Sequence, residues 1–381
     1  MRRILVTVIV LAAVLAAAFS VRYYARAAAF IVEAAGVNGA ARRVAGWISE
    51  PESERPLTIP WRGGRLRARR YQPARPDGRA VLLVPGVHAS GIDEPRLVGF
   101  ARELAGVGHP VVTVELQDLA HYQITPRTTD MIEDAARWML TQPDLARDGR
   151  IGMMGISFGG GLTIVAAGRP SLRSHVAFAL SFGGHGDLPR TLQYLCTGIQ
   201  PDGTRRPPHD YGVAIILLGA AARVVPPAQV APLRQAILTF LDGSRLDMFD
   251  KPAAQRQFAH ARTLGAALPE PARTLMTYVN TRDTAHLGPV LLPHVSALGG
   301  DPALSPDRSP APDCPVYLLH GSEDNVIPAI ESDLLARDLR AHGVTVHQLV
   351  TPLITHAEVD RTSTATAIWH LIAFWAQALH E

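Results

Sequence analysis

The sequence predicts an α/β fold: a mostly parallel central sheet covered by helices, with an inserted helical cap and an N-terminal apolar helix. Three observations carry this. Short apolar runs of strand length alternate with helical patterns over most of the 381 residues. Ala80–Val84 is continuously apolar, the pattern of a strand buried on both faces. The run Ile151–Met154 leads through Gly155-Ile156-Ser157-Phe158-Gly159 into the Gly160-Gly161-Leu162 start of a helix.

At the N-terminus, Arg2 and Arg3 precede an apolar run from Ile4 to Val21, closed by Arg22 and Arg26. As a helix this run reaches roughly 27 Å, enough for a hydrocarbon core and long for a cleavable signal. It predicts a membrane anchor within residues 1–26, with the downstream domain outside the cytoplasm, periplasmic or extracellular. The small-x-small sites Ala16-Ala17-Ala18 and Ala25-Arg26-Ala27 keep secretion after signal cleavage open as the alternative. Residues 27–56, Ala-rich and interrupted by Gly36, Gly39 and Gly46, read as a helical or membrane-surface connector.

The folded core is expected in residues 57–187 and 315–381. Its strands are Leu57–Trp61 and Leu66–Tyr71, joined at Gly63-Gly64, then Ala80–Val84, Pro110–Leu116, Ile151–Met154, Val176–Ser181, Val316–Leu319 and Val344–Val350. Helical patterns intervene at Leu97–Leu104, Thr128–Leu140, Gly159–Ala167, Ala329–Ala341 and Thr364–Leu379. In the last, Ile368, Ile372, Trp375 and Leu379 form one stripe for docking on the sheet. Residues 188–314 separate two strands that a short link would join, which implies an inserted subdomain. Its helical patterns include Val213–Ala222 and Gln229–Leu241, and it leaves through the proline-rich Pro302–Pro315. Within it, Ile215-Ile216-Leu217-Leu218 reads as cap core, with an acyl pocket as the other possibility.

Hydrophobic residues make up 47% and charged residues 19%, a folded composition, and the net charge of +3 has no basic run. Nucleic acid is therefore not an expected partner. Only Cys196 and Cys314 are present, so no disulfide framework exists, although one bridge is permitted outside the cytoplasm. No H-E-x-x-H pattern, zinc-spaced cysteine pair or phosphate loop occurs, so neither a metal nor a cofactor is implied.

The chemistry centres on Ser157. A strand-to-helix turn strains the serine's backbone and leaves room only for glycine beside it, while the helix start points free N–H groups at a developing anion. A serine hydroxyl needs a base to take its proton and a third group to orient that base. After Val316–Leu319 comes His320-Gly321-Ser322-Glu323-Asp324-Asn325-Val326-Ile327-Pro328, and His356 lies between the last strand and the last helix. Of fifteen histidines, His356 lies in a loop, whereas His347 and His370 fall within regular elements. Asp187, after the strand Val176–Ser181, is a second candidate acid.

Together these motifs resemble the α/β-hydrolase superfamily from about Leu57 to Glu381, nearer its dienelactone-hydrolase-like and esterase branches than its lipase branch. The resemblance implies a triad of Ser157, Asp324 and His356, with Asp324 matching the acid of an H-G-x-x-D-x-x-[VI]-P segment and Glu323 solvated. It implies an oxyanion hole from the N–H groups of Phe158 and Val87, the latter in Pro85-Gly86-Val87-His88, where Pro85 stands in place of a histidine. With that change His88 is the other possible donor. His88 and His185, at strand carboxyl ends, are candidate substrate contacts. The expected activity is hydrolysis of a carboxylic ester, small or lipid-like, through an acyl-serine. A peptidase or acyltransferase on the same triad, and a non-catalytic membrane-tethered binding protein, are the alternatives.

Overall fold

A computed structural model describes residues 21–354 and 365–381. It opens with helix α1 (residues 21–34) and α2 (Ala40–Ile48). The sheet and its helices follow: β1 (Glu52–Trp61), β2 (Gly64–Pro73), β3 (Val81–Val84), α3 (Pro95–Gly106), β4 (Val111–Val114), α4 (Gln117–Ala120), α5 (Pro126–Leu140), β5 (Ile151–Ile156), α6 (Phe158–Ala167) and β6 (Val176–Phe182). Residues 188–314 contain α7 (Leu188–Thr197), α8 (Tyr211–Val224), α9 (Pro227–Leu246), α10 (Lys251–Ala266), α11 (Ala272–Asn280), α12 (Thr284–Leu291) and α13 (Val295–Gly299). The chain closes with β7 (Val316–Gly321), α14 (Ile330–Ala341), β8 (Val346–Thr351) and α15 (Ala365–Ala378).

The eight strands form one sheet in the order β1-β2-β4-β3-β5-β6-β7-β8. β2 runs antiparallel to both β1 and β4, and every other pairing is parallel. Alternation along each strand divides the core. Leu82, Val84, Val112, Met153 and Leu318 face α5, α6 and α14, while Val81, Leu83, Val111, Met154 and Leu319 face α3, α15 and α1. β1 starts at Glu52, ahead of the expected Leu57, because its exposed polar first half is held by pairing with β2 and not by burial.

The apolar run Ile4–Val21 lies outside the described residues except for Val21. Among the described residues no helix is long and apolar enough to cross a membrane. Residues 21–34, assigned from sequence to the end of that run and to a connector, instead dock on the sheet layer. Phe30 is buried with its ring 4.7 Å from Trp375 and 5.2 Å from Phe100, and Tyr24 stacks on Trp369. Arg26 forks onto both oxygens of Asp77 at 2.9 Å, joined by Arg22. Sequence reading gave no catalytic or structural part to anything before Leu57. The packing assigns α1 a structural one: Phe30→Ala should destabilise the fold by about 3 kcal/mol, as expected for emptying a buried aromatic site, measured by denaturant unfolding.

The docking stripe of α15 also differs from its expected composition. Leu371, Phe374, Trp375, Ala378 and Leu379 are buried, whereas Ile368 is 44% exposed. The helix is apolar around most of its circumference, so periodicity alone does not choose a face. Phe30 and Phe100 on one side and Tyr317 on the other choose it.

Beneath α1, Glu103 of α3 faces Glu33 and Glu52. Burial, reinforced by these two carboxylates, pushes its pKa up to about 7. The folded protein therefore binds this proton more tightly than the unfolded chain, whose carboxyl titrates near 4.5. The stability from this group is complete below about 4.5 and is lost as pH rises to about 7. Glu103→Gln should raise the thermal midpoint at pH 8 more than at pH 5.

Candidate active site

β5 ends at Ile156, and Ser157 turns the chain into α6 with φ 55° and ψ −133°, a left-handed backbone that few side chains tolerate. Its N–H donates to the carbonyl of Phe182 at 2.7 Å, and its carbonyl accepts from Gly160 N–H at 2.7 Å. The flanking glycines are steric necessities. A Cβ on Gly155 would lie 2.3 Å from the Gly159 carbonyl oxygen, and one on Gly159 would lie 2.1 Å from that of Pro85. The loop after β3 thus presses on the elbow: a Cβ on Gly86 would stand 3.1 Å from that of Ser157. Val87 follows directly. Phe158, at the first position of α6, has an N–H that the helix leaves without an internal acceptor.

Asp324 is buried in the loop after β7. One of its oxygens, Oδ1, accepts from the N–H groups of Val326 at 2.8 Å and Ile327 at 3.0 Å. His320 Nε2 donates to the Ile327 carbonyl at 2.8 Å and lies 3.5 Å from Asp324 Oδ2. Gly183, after β6, separates this carboxylate from the nucleophile strand: a Cβ there would come within 3.5 Å of Oδ2. Glu323 is exposed and pairs with Arg206. His356 falls within 355–364, outside the described residues.

Asp187 is committed elsewhere. Its Oδ1 caps α7 by accepting from Arg190 N–H at 2.8 Å, and its Oδ2 pairs with Arg308. His185 differs from the substrate-contact expectation. It is fully buried, its Nε2 donates to the Leu304 carbonyl at 2.8 Å, and its ring fills the space over Gly161. A ring enclosed in this way packs α6 against the exit of the insertion and cannot meet a substrate. His88 is half-buried; its Nδ1 accepts from Ser90 N–H at 3.2 Å, and burial lowers its pKa. His347 stacks on Tyr317, and His370 is exposed. Cys196 and Cys314 are separate buried thiols, each pushed up to about 12 by burial.

Residues 188–314 are fastened to the core at both ends. Glu331 of α14, fully buried, accepts from Gly186 N–H, Asp187 N–H, Arg190 Nε and Arg190 Nη2 at 2.6–3.1 Å. Arg190 also reaches Asp307, near the exit. Further along, Arg206 donates to the Ser322 carbonyl, while His209 N–H and the Tyr194 hydroxyl donate to that of Asn325. The insertion therefore braces the loop carrying Asp324. Ile216, Leu217 and Leu218 are buried within it, as cap core, and Ile215 is partly so.

The strand order, the strained serine after β5 and the buried acid loop after β7 decide the architecture. The chain has the α/β-hydrolase fold.

No family model matches the chain, and neither does any curated protein sequence. Among solved structures it is similar to an esterase of Pyrobaculum calidifontis, with 17% identity, 86% of each chain covered and a TM-score of 0.46. It is also similar to the acylaminoacyl peptidase of Pyrococcus horikoshii, at 14% identity and a TM-score of 0.44, covering 87% of this chain but 41% of that one. A third is brefeldin A esterase, a bacterial homologue of human hormone-sensitive lipase: 15% identity, 87% and 75% covered, TM-score 0.45. At such identities the likeness concerns fold only.

Tyr122, at a strained backbone position, escaped the sequence reading. Tyr122 adopts φ 58° in the loop after β4. Nothing in its type announces this, since left-handed positions favour glycine and asparagine.

Proposed function

We propose that the protein is a serine hydrolase that cleaves a carboxylic ester through an acyl-serine intermediate. The observation carrying this reading is the backbone of Ser157, held at φ 55° by glycine contacts that admit no side chain. Strain of this kind persists only where the surroundings impose it, and a turn serving merely to reverse the chain would not require it.

In this reading Ser157 attacks the ester carbonyl, His356 takes the hydroxyl proton and returns it to the leaving alcohol, and Asp324 orients His356. The N–H groups of Phe158 and Val87 stabilise the tetrahedral oxyanion, and water resolves the acyl-serine by the reverse path. The two N–H groups bonded to Asp324 Oδ1 fix the carboxylate in place, which an orienting group needs. The commitments of Asp187 to a helix cap and to Arg308 support Asp324 over it. The test is a fluorophosphonate probe, which phosphonylates an activated serine. Mass spectrometry should find the adduct on the peptide containing Ser157, and an unlabelled protein would refute the proposal.

A further inference from the structure

Outside residues 188–314, the exposed large apolar side chains among the described residues are Val21, Val44, Trp47, Val350, Ile368 and Trp369. All but Val350 belong to α1, α2 and α15. Those of α1 and α15 meet in one patch. Tyr24, one helical turn after Val21, stacks on Trp369 with ring centroids 5.2 Å apart and planes 3° from parallel. Trp369 is nevertheless 55% exposed and Val21 67%.

α2 carries a second exposed stripe. Ala40, Arg43, Val44 and Trp47 recur at the i, i+3, i+4, i+7 spacing of a single helix face, and all four are exposed, Trp47 at 84%. The helix is no loose end. On its other side Arg42 pairs with Glu33 of α1 at 3.1 Å, and Ala45 is buried. Just after the helix, Glu50 N–H donates to the Gly106 carbonyl of α3 at 2.7 Å. A helix fastened to both neighbours therefore holds Trp47 and Val44 in solvent. Apolar surface fixed outward in this way marks a contact surface.

We propose that this helical layer docks on a lipid bilayer, with Trp47 and Trp369 seated in the headgroup region. The occupant is a bilayer because of the chain that enters here. The apolar run Ile4–Val21 ends at the first described residue of α1, and Arg22 and Arg26, bonded to Asp77, fix where it joins the fold. A bilayer holding that run is brought to the start of α1. From there α1 spans only about 21 Å before the turn into α2. The composition agrees. Tryptophan gathers at membrane interfaces, where its ring is covered and its N–H stays wet, and a neighbouring arginine reaches the phosphates. Arg43 holds that place, one turn from Trp47. The docking face is independent of the chemistry at Ser157.

The test uses the full chain with vesicles of phosphatidylcholine and phosphatidylglycerol, their acyl chains either plain or brominated. Bromine quenches tryptophan at close range, and the run Ile4–Val21 contains none, so quenching reports the folded part alone. Of five tryptophans, Trp47 and Trp369 are the exposed pair, so brominated lipid should remove about a third of the emission. About half of that loss should disappear in Trp47→Phe, and nearly all of it in Trp47→Phe/Trp369→Phe. Trp47→Phe empties no buried site, and phenylalanine at 369 keeps a ring for Tyr24, so the thermal midpoint should hold. Equal emission in plain and brominated vesicles, quenching that survives the double substitution, or a chain left in the supernatant would overturn the docking face. An unquenched wild type whose Trp47→Cys variant forms a disulfide-linked dimer would also overturn it, and would give the stripe to a second copy.

Discussion

Ser157→Ala is expected to lower ester turnover by at least about a thousandfold and to abolish fluorophosphonate labelling, with the thermal midpoint unchanged within a few degrees. On the proposed mechanism the size follows from removing the group that forms the covalent bond; what would remain is the rate supported by binding and the proposed oxyanion N–H groups. The fold should tolerate the change, because alanine meets the same backbone cost at φ 55° as serine and adds no atom to the glycine-lined elbow. Steady-state kinetics and calorimetry on one preparation measure both quantities. Residual activity well above a thousandth would identify a different nucleophile.

Asp324→Asn is expected to reduce kcat by about 10⁴-fold, since an amide in place of the carboxylate no longer fixes the tautomer of the base or stabilises its cation. Asparagine keeps an oxygen for the N–H groups of Val326 and Ile327, so the loop should survive and the loss should be chemical. Asp187→Asn is the control. It keeps an oxygen for the cap of α7 but removes the charge paired with Arg308, so it should lower stability by about 1 kcal/mol while leaving kcat within about tenfold. The reverse pattern, with Asp187→Asn crippled and Asp324→Asn mild, would transfer the role of the acid to Asp187.

The strands were legible because their apolar runs are short and bounded. Val81–Val84 and Ile151–Ile156 must be buried on both faces, and only a covered parallel sheet does that. The elbow was legible because its constraint is local: Gly155 and Gly159 are required by contacts with Gly159 itself, Thr163 and Pro85. His185 was not, since whether a loop ring faces a substrate or the back of a helix depends on the room that Gly161 leaves for it.

Residue pattern by itself determined the alternation of strands and helices, the position of Ser157 at a strained turn, and the chain order of the candidate serine, acid and base. Each depends on neighbours a few residues away, so sequence records it directly. Tertiary structure alone decided that residues 21–34 dock through Phe30 on Trp375, and which face of the apolar α15 is buried. It alone decided that Asp187 caps a helix. Those outcomes depend on which distant side chains share one volume, and apolar or polar character does not encode the partner.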